Sequence, residues 1–503
     1  MNGAASTPWL PSTTGGGRWL FAGLVVLGGA ATISAATVTN GDILATMAPV
    51  LCAGVLVAVW AAPLRLTLFG LTFLALAIDA SEEGPWDSPF AHLGRLVNHN
   101  LNKTVFLGPV GSVPLQTYAL GFLLVIHLYR LVSRSRTDGG VLAAPMRLAM
   151  AVSLLAVVAE CLNGFRNGGD MQMAKVQVQD FVLILLTGYL MAVSLRGSRD
   201  YRFFGAIVVF SALSKALIAI YVYRTMVPHP ATATTHGDSL LFTCAAIMLI
   251  AQFAEKPVWR NGMLCLMILP VILMGMIANN RRLVWVQLAF SVLALFFVSR
   301  RSPLKRFVIR AVLMSVPVFL LYVAVGWNSS ARIFAPVKTF RSIGDSEVDP
   351  STLFRDLENF NLLYTLRANP IIGTGFGHPF GGPVVLPDIS FFKEYHFMPH
   401  NSILGLWCFT GVIGFTGLFV AVVAGVHMAA RSYYLARRPD ERIAAFTALA
   451  MVLIYLIHCY GDIGFSEREA ILLVGSALAV AGQLYVSTGA AGGWALAGGR
   501  EPR

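Results

Sequence analysis

Continuous apolar runs of ~17–25 residues, joined by short polar connections, constrain this chain more than any other feature. In lipid every backbone N–H and C=O must be satisfied within the protein, which leaves helices or closed barrels. A barrel calls for alternation over about ten residues, and these runs do not alternate. Charged residues are only 12% of the 503, against about 25% in soluble domains. The chain therefore reads as an all-α polytopic membrane protein with about 12–14 transmembrane helices.

These spans fill residues 19–487. Residues 1–18 are expected to be a disordered cytoplasmic tail; the first 17 are rich in Gly, Ser and Thr and carry no Lys or Arg, unlike a signal peptide. Residues 488–503 read as a second cytoplasmic tail. Cys52, Cys161, Cys244, Cys265, Cys408 and Cys459 lie in or at the ends of apolar segments without metal-ligand spacing. They are expected to be small buried hydrophobes, not a disulfide framework or a metal site. The net charge of +12 is assigned to basic loops beside anionic lipid, not to nucleic acid.

Clusters such as Arg196/Arg199/Arg202 and Arg431/Arg437/Arg438/Arg442 mark the inner side. The long polar segment 328–400 then faces outward. So do Arg281 and Arg282, in a short connection between two spans, and Arg224, just beyond an earlier span. Such arginines either bind an anionic headgroup, for which the planar guanidinium fork suits a diphosphate, or snorkel to fix a helix. Lys215 lies within a span. It is either functional or paired with a carboxylate on a neighbouring helix, such as Glu160 or Asp180.

The long segment has an internal plan. Asp345, Glu347 and Asp349 lack the glycine and distal glutamate of a calcium loop, so they read as a solvated acidic turn. Pro350-Ser351-Thr352 starts a helix. Leu353, Leu357, Phe360 and Tyr364 give it an apolar stripe, with Arg355, Asp356, Glu358 and Asn359 largely elsewhere. It is expected to lie on the outer membrane surface. It ends at Asn369-Pro370, before the glycine-rich stretch 371–378, which lacks dinucleotide spacing. Phe391, Phe392, Tyr395 and Phe397 either stack on sugars or anchor in the interface. His400 closes the segment as a candidate proton acceptor, with His378 and His396 as competitors. Asn401 either orients a ligand or caps the following span, 401–430.

Asn369-Pro370-Ile371-Ile372-Gly373-Thr374-Gly375-Phe376-Gly377, then Pro399-His400-Asn401-Ser402 and Gly411-Val412-Ile413-Gly414, resemble the signature of the O-antigen ligase and polymerase superfamily. The resemblance covers about 225–415. Asn280-Arg281-Arg282 stands where the family usually has Ser-Arg-Gly. The resemblance implies glycan transfer from an undecaprenyl-diphosphate-linked donor at the periplasmic face of the bacterial inner membrane, with inversion and without metal or cofactor. It implies His400 and Arg281 as catalytic residues, and Arg224, Arg282, Arg355, Gly373, Gly375 and Asn401 as substrate-binding residues. About fourteen spans and an extra outer loop over 83–104 favour a polymerase, with which a chain-length regulator would be a compatible partner. A ligase acting on lipid A–core and a non-enzymatic lipid-linked glycan transporter are the alternatives.

Overall fold

The computed structural model describes residues 43–77, 115–133, 142–226, 232–300, 303–329, 350–387, 394–464 and 467–492, with isolated positions elsewhere. The N-terminal tail, the loop 83–104, the acidic turn at Asp345, Glu347 and Asp349, Phe391, Phe392 and the chain beyond residue 492 lie outside the described residues. Among the described residues, fourteen helices can be delimited. They are α1 Ile43–Ala61, α2 Leu64–Ala77, α3 Leu115–Val132, α4 Ala144–Arg166, α5 Met171–Ser194, α6 Ser198–Thr225 and α7 His236–Glu255. Then come α8 Trp259–Asn279, α9 Leu283–Val298, α10 Pro303–Gly326, α11 Pro350–Ala368, α12 Ser402–Leu435, α13 Pro439–Gly461 and α14 Arg468–Ser487.

Eight of these, α4 to α8 and α12 to α14, are long and apolar enough to cross a membrane. Shorter apolar helices lie within α1, α2, α3, α9 and α10. The chain is thus an all-helical polytopic membrane protein, as the apolar runs dictate. Among the described residues, eight helices are full-length, against about fourteen expected spans. It divides into two compact units, residues 1–67 and residues 68–503. The first holds α1, where Cys52 is exposed, contrary to the expectation of a buried thiol. All features discussed below belong to the second.

Within that second unit, α7, α13 and α14 are the most enclosed membrane-length helices. Helix α14 packs on α5, α12 and α13, and α12 on α4 and α13. Small residues let the backbones approach: Gly475 of α14 lies against Thr187 of α5, and Gly275 of α8 against Ala216 of α6. One end of the bundle collects the starts of α5, α7, α12 and α14, the ends of α4, α6, α8 and α13, and α11. The other end carries Glu255, Arg300 and Arg442, where Glu255 receives Arg442 Nε at 2.7 Å and Arg300 donates to the Tyr434 carbonyl at 3.0 Å.

Lys215 of α6 is fully buried and pairs with Asp238 of α7, Nζ to Oδ1 3.1 Å. The partner is therefore neither Glu160 nor Asp180. Asp238 sits where α7 begins to run back beside α6, so the helical hairpin brings together charges 23 residues apart. Lys215→Met should cost on the order of 3–5 kcal/mol, because it strands a buried carboxylate. Lys215→Met/Asp238→Leu should recover most of that loss in a denaturant titration of the detergent-solubilised protein.

Helix α12 is not the uninterrupted span the sequence suggests. Gly411 takes φ 58° and ψ −171° and breaks it. The backbone groups freed there are satisfied by the glycine-rich stretch. Gly375 N–H donates to the Phe409 carbonyl at 2.8 Å, Val412 N–H to Pro370 at 3.0 Å and Ile413 N–H to Ile371 at 3.1 Å. Gly373 (φ 74°) faces the break so closely that a Cβ would run into the Phe409 carbonyl and the Gly411 amide. Gly373→Ala should therefore cost on the order of 2–4 kcal/mol through strain and overpacking. Its thermal midpoint in detergent would show the loss.

Candidate active site

Helix α11 positions the centre of the site. Its polar face, not its apolar stripe, packs on the protein: Glu358, Asn361 and Thr365 are buried, whereas Leu353, Phe360 and Tyr364 are exposed. The expected amphipathic helix is present, with Leu353, Phe360 and Tyr364 of its apolar stripe exposed and Leu362 and Leu366 buried beside the polar face. Asn361 Nδ2 donates to the Val384 carbonyl at 2.8 Å, and Thr365 Oγ1 accepts from Gly381 N–H at 3.0 Å. These bonds hold α11 against the chain that follows it.

Glu358, only 1% exposed at its side chain, meets His400. Its Oε2 accepts the His400 backbone N–H at 3.0 Å, and its Oε1 lies 3.2 Å from His400 Nδ1. A carboxylate at Nδ1 places the ring proton there and leaves Nε2 as the proton-accepting nitrogen. The ring of Phe354 stands edge-on to the imidazole at 5.4 Å. His400 remains 26% exposed, so its free edge is reachable. The competing histidines make other contacts. His378 Nε2 lies 3.2 Å from the Gly164 carbonyl, and His396 stacks on Tyr395 at 3.6 Å.

Asn401 caps α12: its Oδ1 accepts from Leu404 N–H at 3.1 Å, while its Nδ2 donates to Asn359 of α11 at 3.1 Å. Gln177 of α5 fixes the other flank. It accepts from Gly377 N–H at 2.6 Å and donates to the Phe397 carbonyl at 3.0 Å. His400 is thus held by α11, the cap of α12 and the glycine-rich stretch together. Gly373 and Gly375 serve that docking with positive φ, Gly375 lying against Gly164 at the end of α4.

Arg281 enters from a second direction. Asn280 turns the chain after α8 in the left-handed region (φ 51°), which asparagine tolerates. Asn279 anchors this corner to the start of α7, its Oδ1 accepting from Thr234 N–H at 2.9 Å. His236, the first residue of α7, contacts Asp462 through Nδ1 at 2.6 Å. The Asp462 carbonyl in turn accepts from Ser402 Oγ at 3.3 Å, two residues from His400. Burial works against the Asp462 carboxylate, but the hydrogen bond and charge of His236, aided by His458, hold its pKa well below the usual range.

Arg281 lies within electrostatic reach of Asp462, Glu467 and Arg355. Burial pulls its pKa down, the two carboxylates oppose this, and Arg355 adds to it. Its Nε is buried without a hydrogen-bond partner among the described residues. A half-buried guanidinium in this state would gain a great deal from an anion. Arg355 is one turn from Glu358 on α11, so Arg281, Arg355 and His400 belong to one site. Arg282 is half-buried at the start of α9. Arg224 is exposed at the end of α6, beside residues 227–231, which lie outside the described set.

Glu358, Asp462, His236 and Gln177 were not singled out from the sequence. Glu358 carried one usable signal, an acid three residues from Arg355 on the same helix face. Asp462, directly after an apolar span, carried another.

A bundle with eight membrane-length helices defines a polytopic membrane protein, and at one end of it a carboxylate-oriented histidine lies near Arg281 and Arg355. Residues 264–419 match the family model Wzy_C, O-antigen ligase, and for this region the match supports the O-antigen ligase and polymerase superfamily. The matched region holds Arg281, Arg282, Arg355, Gly373, Gly375, His400 and Asn401; Arg224 lies before it. No curated protein gives a significant match to the chain.

Proposed function

We propose that the protein transfers a glycan from an undecaprenyl-diphosphate-linked donor to a sugar hydroxyl at the periplasmic face of the bacterial inner membrane. The observation that carries this reading is the pairing of His400 with buried Glu358, together with Arg281, whose Nε is buried without a hydrogen-bond partner among the described residues. The basic residues at the opposite end of the bundle support the orientation.

His400 Nε2 takes the proton of the acceptor hydroxyl as its oxygen attacks the anomeric carbon. The bond from that carbon to the diphosphate breaks on the opposite face, and the anomeric centre inverts. Undecaprenyl diphosphate leaves with the electron pair, its growing charge met by Arg281 and Arg355. Arg224 and Arg282 lie at the same end and extend the basic surface. No metal takes part in this scheme.

The acceptor is either the next repeat unit, giving a polymer, or lipid A–core, giving a ligated product. The lean towards the polymerase rests on the sequence, with its about fourteen apolar segments and the extra outer loop over 83–104. Its product stays on undecaprenyl diphosphate and grows as a ladder. A ligase would give a single shift onto lipid A–core, so a two-acceptor assay separates them.

Glu358 acts through His400 and is a positioning residue. Glu358→Gln should lower kcat roughly 10–100-fold with little change in donor KM. Glu358→Asp, which keeps the carboxylate, should recover part of that kcat. Native kcat per folded protein with merely less folded protein would assign Glu358 a structural role only.

A further inference from the structure

A cavity of about 680 Å³ opens between α6 and α8 in the half of the bundle remote from His400. Its volume falls in the roughly 300–1,000 Å³ range of ligand pockets. Nearer His400, α6 and α8 are in close contact where Gly275 meets Ala216. The α8 residues lining the cavity all precede Pro270, which lies inside that helix. The wall is apolar, with Phe204, Phe210, Leu213, Leu264 and Ile268 among its residues. Its mouth is basic, carrying Arg202, Lys256 and Arg260.

Two further observations point to an occupant. Lys256 is matched by Asp440 at 3.8 Å, and Arg202 Nε donates to the Ser198 carbonyl at 3.4 Å. Arg260 has no ion-pair or hydrogen-bond partner among the described residues, so the mouth keeps an excess of positive charge. Deeper in, the hydroxyls of Thr447 and Ser476 line the cavity, buried and without hydrogen-bond partners among the described residues. Buried hydroxyls of this kind call for an acceptor.

We infer that this cavity binds an anionic glycerophospholipid drawn from the leaflet at that end of the bundle. The headgroup phosphate sits between Arg202 and Arg260. The ester carbonyls accept from the Thr447 and Ser476 hydroxyls, and an acyl chain fills the apolar wall. The charge at the mouth selects against a zwitterionic lipid of the same chain length. The site is remote from the transfer centre and does not rest on the reading of that centre.

The test uses the full chain reconstituted in phosphatidylcholine vesicles containing phosphatidylglycerol, then released gently for native mass spectrometry. Native protein should retain one phosphatidylglycerol selectively. Arg202→Gln/Arg260→Gln, both at exposed positions, should lower that retention roughly tenfold. Thr447→Val/Ser476→Ala, which keeps the apolar volume, should weaken it as well. Equal retention of both lipids, or undiminished phosphatidylglycerol in the arginine double variant, would overturn the assignment. A phosphatidylglycerol with a photoreactive acyl chain should label α6 and α8 peptides in native protein; labelling confined to other helices would also overturn it.

Discussion

Alanine in place of His400 is expected to leave a protein that inserts normally and transfers glycan at roughly 10²–10⁴-fold below the native rate. The size of the effect follows from the geometry. The imidazole is oriented through Nδ1 by Glu358, is reachable from solvent, and differs in this from both His378 and His396. Stability should suffer less than activity, because Glu358 Oε2 keeps the backbone N–H of residue 400. His400→Gln gives a sharper comparison. It still offers Glu358 a side-chain donor but cannot take a proton, so it should restore stability and not turnover.

Arg281→Ala should lower transfer by roughly 10²–10³-fold, the loss seen when one preorganised donor to a developing anion is removed. Arg281 makes no hydrogen bond or ion pair among the described residues, and its Nε is buried without a partner. Its removal should therefore leave expression and the thermal midpoint close to native. A purely structural arginine would show the reverse pattern. Arg281→Lys should recover only part of the rate, since a point charge replaces a fork that can grip two phosphate oxygens. Steady-state kinetics against donor concentration, with thermal unfolding of the same preparations, would separate the two roles.

The membrane class was legible because apolar length alone leaves the backbone few choices. The amphipathic character of α11 was legible from the spacing of Leu353, Phe360 and Tyr364, but its orientation was not. The polar face reads as solvated until α12 is seen to pack against it and bury Glu358. The break at Gly411 was hidden for a related reason. A glycine within an apolar run suggests helix packing, and only the docked stretch 370–375 supplies partners for a broken turn. His400 and Arg281 were accessible through motif resemblance. Their link through Asp462, His236 and Ser402 joins residues 60 and 226 positions apart, which no local pattern reports. Lys215 was visible as a costly buried charge, but its partner depended on which helices meet.

The most direct measurement supplies purified protein in lipid with an undecaprenyl-diphosphate-linked repeat unit and a lipid A–core acceptor, with the His400→Ala protein alongside. Products are resolved by size and by lipid carrier. Native protein should give glycan-transfer products, as a ladder on undecaprenyl diphosphate, and His400→Ala should give at most traces of them. Near-native product from the His400→Ala protein would contradict the account.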